Sequence, residues 1–199
     1  MNKACLWRLE HITQPGRSRP RLDDVTLDIP AGITAVLGPS GSGKTSLLNL
    51  LVGFERAATG TITRSEVGVP PAIDRGIRLP VFWSPADHGL WPHLTVRDHL
   101  RSVMPEDAAR DREIDQLLKT FDLVSMAQAH PATLSMGERD RLSVARAIAS
   151  GAEVLVLDEP LAHVDAVRRE IGWQTLREFA RNHSIIFATQ QPETALQYA

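Results

Sequence analysis

Gly38-Pro39-Ser40-Gly41-Ser42-Gly43-Lys44-Thr45 follows the apolar stretch Ile33–Leu37 and opens onto a second apolar run through Val52. The eight residues fit the spacing G-x-x-x-x-G-K-[ST], a phosphate-binding loop set between a strand and a helix. Glycine at these points lets backbone N–H groups turn inward around phosphate oxygens, a path that side chains would obstruct. Lys44 is expected to set a cation against the β- and γ-phosphates, and Thr45 a hydroxyl on Mg²⁺, with Ser46 beside it in the first helical turn. A helix over Lys44–Val52 would point its positive N-terminal end at the same anion.

The rest of the composition bounds the answer. At 199 residues the chain suits one domain, or one domain carrying a sizeable insertion. Its 43% hydrophobic and 23% charged content is ordinary for a globular protein. A formal net charge of −2 argues against a dedicated nucleic-acid binder, and no nucleic-acid partner is expected. Cys5 is the single cysteine, so no internal disulfide can form and a reducing compartment is expected. No apolar run approaches the roughly 20 residues that span a bilayer. The four apolar residues Ala4–Trp7 before Arg8 are too short for a signal sequence, so the expectation is an intracellular chain that reaches a membrane only through a partner.

Strands are expected at Leu6–Ile12, Val25–Ile29, Ile33–Leu37, Thr59–Thr63, Ile77–Trp83, Val154–Leu157 and Ser184–Thr189. Between residue 83 and residue 150 the pattern turns helical. Thr95 with Asp98 reads as a cap opening a helix to about Met104. Ile114, Leu117, Leu118 and Phe121 form a one-face stripe on a helix over Asp111–Phe121. Ser135 and Glu138 cap a further helix to about Ala149, and Asp165 caps one ending near Asn182. Pro192 opens a short last helix. Strand and helix alternate at both ends around an all-helical block, which predicts an α/β phosphate-loop core with an inserted helical subdomain.

Leu155-Val156-Leu157-Asp158-Glu159 is an apolar strand that delivers two carboxylates at its C-terminal end, where open parallel sheets bind ligands. Asp158 is the candidate to hold Mg²⁺, through water; Glu159, one residue on, is the candidate to orient or deprotonate the water attacking the γ-phosphate.

Five further segments carry a resemblance. Leu134-Ser135-Met136-Gly137-Glu138 is similar to the signature L-S-G-G-Q of the ATP-binding subunits of ABC transporters. Leu161-Ala162-His163-Val164-Asp165 resembles that family's D-loop, with Asp165 at the matching position. Gly89–Val96 resembles the segment after its Q-loop, and Arg139–Arg141 and Ala145–Ala147 fall in step. The likeness covers nearly the whole chain in the right order. It implies a mostly parallel sheet with an N-terminal antiparallel β part, residues 1–85 and 148–199 forming the ATPase core and 86–147 the helical subdomain. It also implies ATP and Mg²⁺ as cofactors and a second ABC ATPase subunit, the same or different, set head to tail. Ser135, Gly137 and Asp165 would then face the ATP held by the other subunit. A membrane-spanning permease subunit would dock near Ala86–Thr95, where Trp91 and His93 are candidates. The implied location is cytoplasmic, peripheral on the inner face of the cell membrane.

Four positions depart from that pattern. Met136 replaces the first signature glycine, Ala86 falls at the Q-loop glutamine, Gln190 falls at the H-loop histidine, and Gln14–Arg21 holds no aromatic residue to stack on adenine. Trp7 is expected to pack in the core instead. The resemblance therefore implies ATP binding by Gly38–Ser46 and hydrolysis through Glu159 and Gln190, slowed by the altered sensors. The competing expectation is a hydrolysis-impaired regulatory subunit that pairs with a fully active ABC ATPase. Repair or translation ATPases would show tandem units or long coiled-coil insertions, and small-molecule kinases would leave the signature and D-loop matches unexplained. Because the chain stops soon after Gln190, no C-terminal regulatory domain is expected.

Overall fold

A computed structural model describes residues 4–65 and 80–199. The N-terminal third is β-rich. Strand β1 (Cys5–Gln14) pairs antiparallel with β2 (Leu22–Pro30) on one side and with β4 (Thr59–Arg64) on the other. Between them in sequence, β3 (Ile33–Leu37) leaves for a second sheet, and α1 (Lys44–Leu51) follows it through the glycine-rich loop. That second sheet is parallel, in the order β3, β7 (Ser184–Thr189), β6 (Val154–Asp158), β5 (Val81–Ser84). The expected strand over Ile77–Trp83 is observed from Val81; residues 77–79 lie outside the described residues.

The helical block holds α2 (Val96–Val103), α3 (Arg110–Thr120) and α4 (Met136–Ala149), with two single 3₁₀ turns between α3 and α4. After β6 come α5 (Ala166–Phe179) and, past β7, α6 (Pro192–Tyr198). The caps foreseen in the sequence are formed. Thr95 accepts from Asp98 N–H at the start of α2, and Asp165 accepts from Arg168 N–H at the start of α5. Ser135 and Glu138 exchange both bonds of a capping box at the start of α4. Helix α5 ends at Phe179 rather than near Asn182, because the chain turns through Ala180 to enter β7.

The two central strands of the parallel sheet, β6 and β7, are buried on both faces, as apolar runs in such sheets require, while the edge strand β3 is only partly covered. Val154 and Val156 of β6, with Ile186 and Ala188 of β7, pack with Leu48 of α1 and the inner residues of β1. The alternate residues, Leu155, Leu157, Ile185 and Phe187, pack on the other side with Leu142 of α4, Trp173 of α5 and the stripe Ile114, Leu118 and Phe121 of α3. Trp7 is buried in the first of these clusters, as expected. Trp173 closes the second, edge-on to Phe187 and stacked on Tyr198 of α6 with ring centroids 4.4 Å apart. Every buried leucine of this kind contributes about 1.5–3 kcal/mol over an exposed one. The result leaves the C-terminal ends of β3, β6 and β7 side by side, with α1 starting immediately in front of them. No helix among the described residues is long and apolar enough to cross a membrane.

Candidate functional site

The loop after β3 is shaped by its glycines. Gly43 caps α1 in a left-handed conformation (φ 94°), and a Cβ there would sit 2.2 Å from the Arg21 carbonyl oxygen. No other residue type fits. Because Gly43 brings no side chain, the first turn of α1 has no side-chain cap of its own. Backbone amides at such a helix start are an anion site. Lys44, the first helical residue, is buried and folds back over the loop, its Nζ donating to the carbonyl oxygens of Gly38 (2.9 Å) and Pro39 (3.2 Å).

Two carboxylates and a hydroxyl stand beside that lysine in the same cavity. Asp158 ends β6, and its Oδ2 accepts from the Thr45 hydroxyl at 2.6 Å. Burial pushes the Asp158 carboxyl above its usual range, against the Thr45 hydrogen bond, and the charge of Glu159 adds to the rise. Glu159 leaves the strand with a left-handed backbone (φ 51°), and its side chain lines the same cavity as that of Asp158. Its Oε2 accepts from Gln190 N–H at 3.3 Å. Its Oε1 is buried with no hydrogen-bond partner and lies 3.6 Å from Lys44 Nζ.

These groups line a cavity of about 330 Å³, shared by Ser40, Gly41, Gly43–Ser46, Asp158, Glu159 and Gln190, with Ala86 on its wall. The donor set fits a polyphosphate carrying a hard divalent ion. Thr45 and Asp158 offer paired oxygens of the kind Mg²⁺ takes. The raised carboxyl of Asp158 and the partnerless Oε1 of Glu159 are groups that a cation and a bound water would satisfy.

Ser135, Gly137 and Asp165 are not part of this cavity. They line a separate recess of about 650 Å³ at the start of α4, together with Met136, whose side chain is largely exposed. Gly137 is needed there for close approach, since a Cβ would lie 2.9 Å from the His163 carbonyl oxygen. The predicted residues thus form two groups on one chain: Ser40, Gly41, Gly43–Ser46, Asp158, Glu159 and Gln190 in one, with Gly38 and Pro39 bonded to Lys44 behind it and Ser42 outside the lining, and Ser135, Gly137 and Asp165 in the other. Trp91 is partly exposed and stacks on His99 (centroids 5.6 Å), so it both packs and shows a face; His93 is exposed.

Sequence reading missed Arg21. It lines the phosphate cavity, donates to Ser46 Oγ (3.3 Å) and is held by both oxygens of Glu55. No local pattern marks it, because its partners are 25 and 34 residues away. Asp140 and His88 were missed for the same reason.

The family model described as ABC transporter matches residues 22–162. The sulfate/thiosulfate import ATP-binding protein CysA of Burkholderia mallei is 37% identical over 189 residues, covering 89% of this chain and 53% of that protein. The CysA of Escherichia coli K12 is 36% identical over 191 residues, covering 89% and 51%. The chain spans about half the length of the curated relatives it matches. Among solved structures, an ATP-binding subunit of an ABC transporter superposes with a TM-score of 0.80 at 21% identity, covering 98% of this chain and 83% of that one. A dimeric ATP-binding cassette in a post-hydrolysis state with ADP and Pi superposes at 0.79 and 21% identity, covering 96% and 90%. At that identity the structures speak to fold, and the fold is that of the ABC ATPases. With the family match extending over most of its length, the chain belongs to the ABC transporter family.

Proposed function

We propose that this chain is the ATP-binding subunit of an ABC transporter, coupling MgATP binding and hydrolysis at a head-to-tail dimer interface to substrate movement by a membrane-spanning permease. The observation that carries the reading is the buried, partnerless Oε1 of Glu159, set 3.6 Å from Lys44 Nζ on a glycine-lined cavity. In this reading residues 1–85 and 148–199 make the ATPase core and 86–147 the helical subdomain that meets the permease at the inner face of the membrane. The import role in the relatives' names supports inward transport.

Gly38–Gly43 and Ser46 wrap the phosphates, and Lys44 exchanges its two carbonyl partners for phosphate oxygens. Thr45 and Asp158 hold Mg²⁺, which supplies charge neutralisation on the phosphate oxygens when bound. Glu159 Oε1 takes a proton from a water whose oxygen bonds to the γ-phosphorus, while the β–γ bridging oxygen leaves with ADP. Gln190 donates a hydrogen bond to the γ-phosphate from its side-chain amide and steadies Glu159 through its backbone N–H. Ser135, Gly137 and Asp165 of a second subunit close the site, the capped start of α4 facing the γ-phosphate. Alanine at position 86 removes one water-orienting amide, which makes turnover slow rather than absent.

Steady-state MgATP hydrolysis across a range of protein concentrations, with Glu159→Gln as the blank, tests this. A rate that rises more steeply than linearly with concentration and vanishes in the blank is the expected result. A rate equal to the blank with ATP still bound would overturn it in favour of a hydrolysis-impaired regulatory subunit.

A further inference from the structure

The loops that follow β5 and β6 meet at one buried carboxylate that the proposed chemistry does not use. Asp140 sits in the second turn of α4, and its side chain is 3% exposed. Oδ1 lies 2.6 Å from His88 Nε2. Oδ2 accepts the backbone N–H of His163 at 2.7 Å and lies 3.3 Å from that residue's Nδ1.

Each tether ends close to the cavity that holds Glu159. His88 belongs to the loop after β5, two residues beyond Ala86 on the cavity wall. Its own backbone is left-handed (φ 70°), and Arg146, one and a half turns further along α4, donates to the carbonyl oxygens of His88 (2.6 Å) and Gly89 (2.7 Å). His163 belongs to the loop after β6, four residues beyond Glu159. Between them both Glu159 and Leu161 have left-handed backbones (φ 51° and 59°), a conformation that costs non-glycine residues and persists only where surroundings over-determine it. The fully buried Leu161 side chain supplies one constraint and the His163 N–H bond to Asp140 the next. A small cavity of about 10 Å³ has His88, Asp140, Asp158 and Glu159 together in its lining. The tether and the reacting carboxylates therefore share one wall.

We infer that Asp140 is a positioning residue that couples the loop carrying Ala86 to the loop carrying Glu159 and Asp165, one carboxylate oxygen to each. The inference rests on the proposed hydrolytic reading and deepens it. A carboxylate with a partner on each oxygen has its plane fixed, and α4 gives it a rigid base. Removing the partner on either oxygen frees the plane to rotate and loosens the other loop, so displacement of one loop is felt by the other. Asp140 is not in the lining of the phosphate cavity, so its loss should misplace Glu159 while sparing the phosphate loop.

The test is hydrogen–deuterium exchange of the full chain, read at residues 85–89 and 161–165, beside the ATP dissociation constant and kcat. Asp140→Ala is expected to speed exchange at least about tenfold in both loops and to leave α1 unchanged. ATP affinity should stay within about threefold while kcat falls about tenfold to a hundredfold, the scale of a misplacement near 1 Å. Asp140→Asn keeps an acceptor for His163 N–H and a donor for a neutral His88, and should restore most of the rate. His88→Ala, which leaves α4 intact, guards against a folding failure: it should speed exchange at 161–165, a loop to which His88 makes no hydrogen bond. Faster exchange confined to 85–89 in His88→Ala overturns the coupling, as does ATP affinity that falls in step with kcat in Asp140→Ala. Absence of hydrolysis by the wild type would defeat the hydrolytic reading alone, since exchange in the two loops decides the coupling by itself.

Discussion

Lys44 and Glu159 sit 3.6 Å apart with opposite charge, yet they are assigned opposite roles, one in binding and one in chemistry. That separation can be measured. Lys44→Ala deletes the cation that faces the phosphates, and the ATP dissociation constant in a fluorescent-nucleotide titration should rise tenfold or more. Glu159→Gln keeps the shape and removes the proton acceptor; affinity should stay within about threefold while hydrolysis falls about a hundredfold or more. Gln190 offers a third test at this scale. Its backbone N–H supports Glu159, and its side chain is an amide, which cannot become a charged donor as an imidazole can. Gln190→His should leave affinity alone and raise kcat by up to about tenfold in the same assay, because a protonatable donor stabilises developing negative charge better than a neutral one.

Helices α2 and α4 are held by different means, and the difference predicts different losses. Helix α2 depends on its N-cap, Thr95, whose Oγ1 accepts from Asp98 N–H at 3.1 Å. Thr95→Ala should cost about 1 kcal/mol, seen as a lower urea midpoint with an unchanged slope. Helix α4 carries the buried Leu142 against the parallel sheet and the α3 stripe. Leu142→Ala removes that packing and leaves a cavity, and should cost about 2–5 kcal/mol in the same titration. The larger loss at α4 matters for function, since this helix also holds Ser135 and Gly137 at one end and bonds the loop after β5 through Arg146. Burial pushes the Arg146 guanidinium down to about 10, still charged at neutral pH, between the rings of Phe82 and Trp91 at 5.6 and 5.0 Å.

At the scale of the molecule, Glu55 joins the antiparallel sheet and its connecting loop to α1. Arg21, Gln14 and Asn49 all donate to it, and the Arg21 guanidinium leads in holding its carboxyl down to about 2. A carboxyl depressed on folding stabilises the native state above its unfolded value, 4.5, and that contribution is lost as pH falls through about 2. Glu55→Gln should therefore lower the urea midpoint at pH 7, and the gap to wild type should narrow steadily below about pH 4.5. A gap that stays constant between pH 5 and pH 3 would show that the loss comes from packing and not from charge.

What the sequence determined by itself was local chemistry and period. Gly38–Thr45 dictated a strand–loop–helix turn because only glycine accepts the backbone at Gly43. The apolar run of β6 marked a buried strand, and Ser135, Thr95 and Asp165 marked three helix starts within a residue. These signals are carried by neighbours in the chain. The tertiary structure alone decided which carboxylate lacks a partner, that Arg21 reaches the phosphate cavity, and that Asp140 joins two loops through residues 52 and 23 positions away. Those contacts arise only when strands distant in sequence pair, since hydrogen bonding across such separations leaves no periodic trace in the chain. The same physics separates Ser135, Gly137 and Asp165 from the phosphate cavity: the chain folds them into a recess of their own.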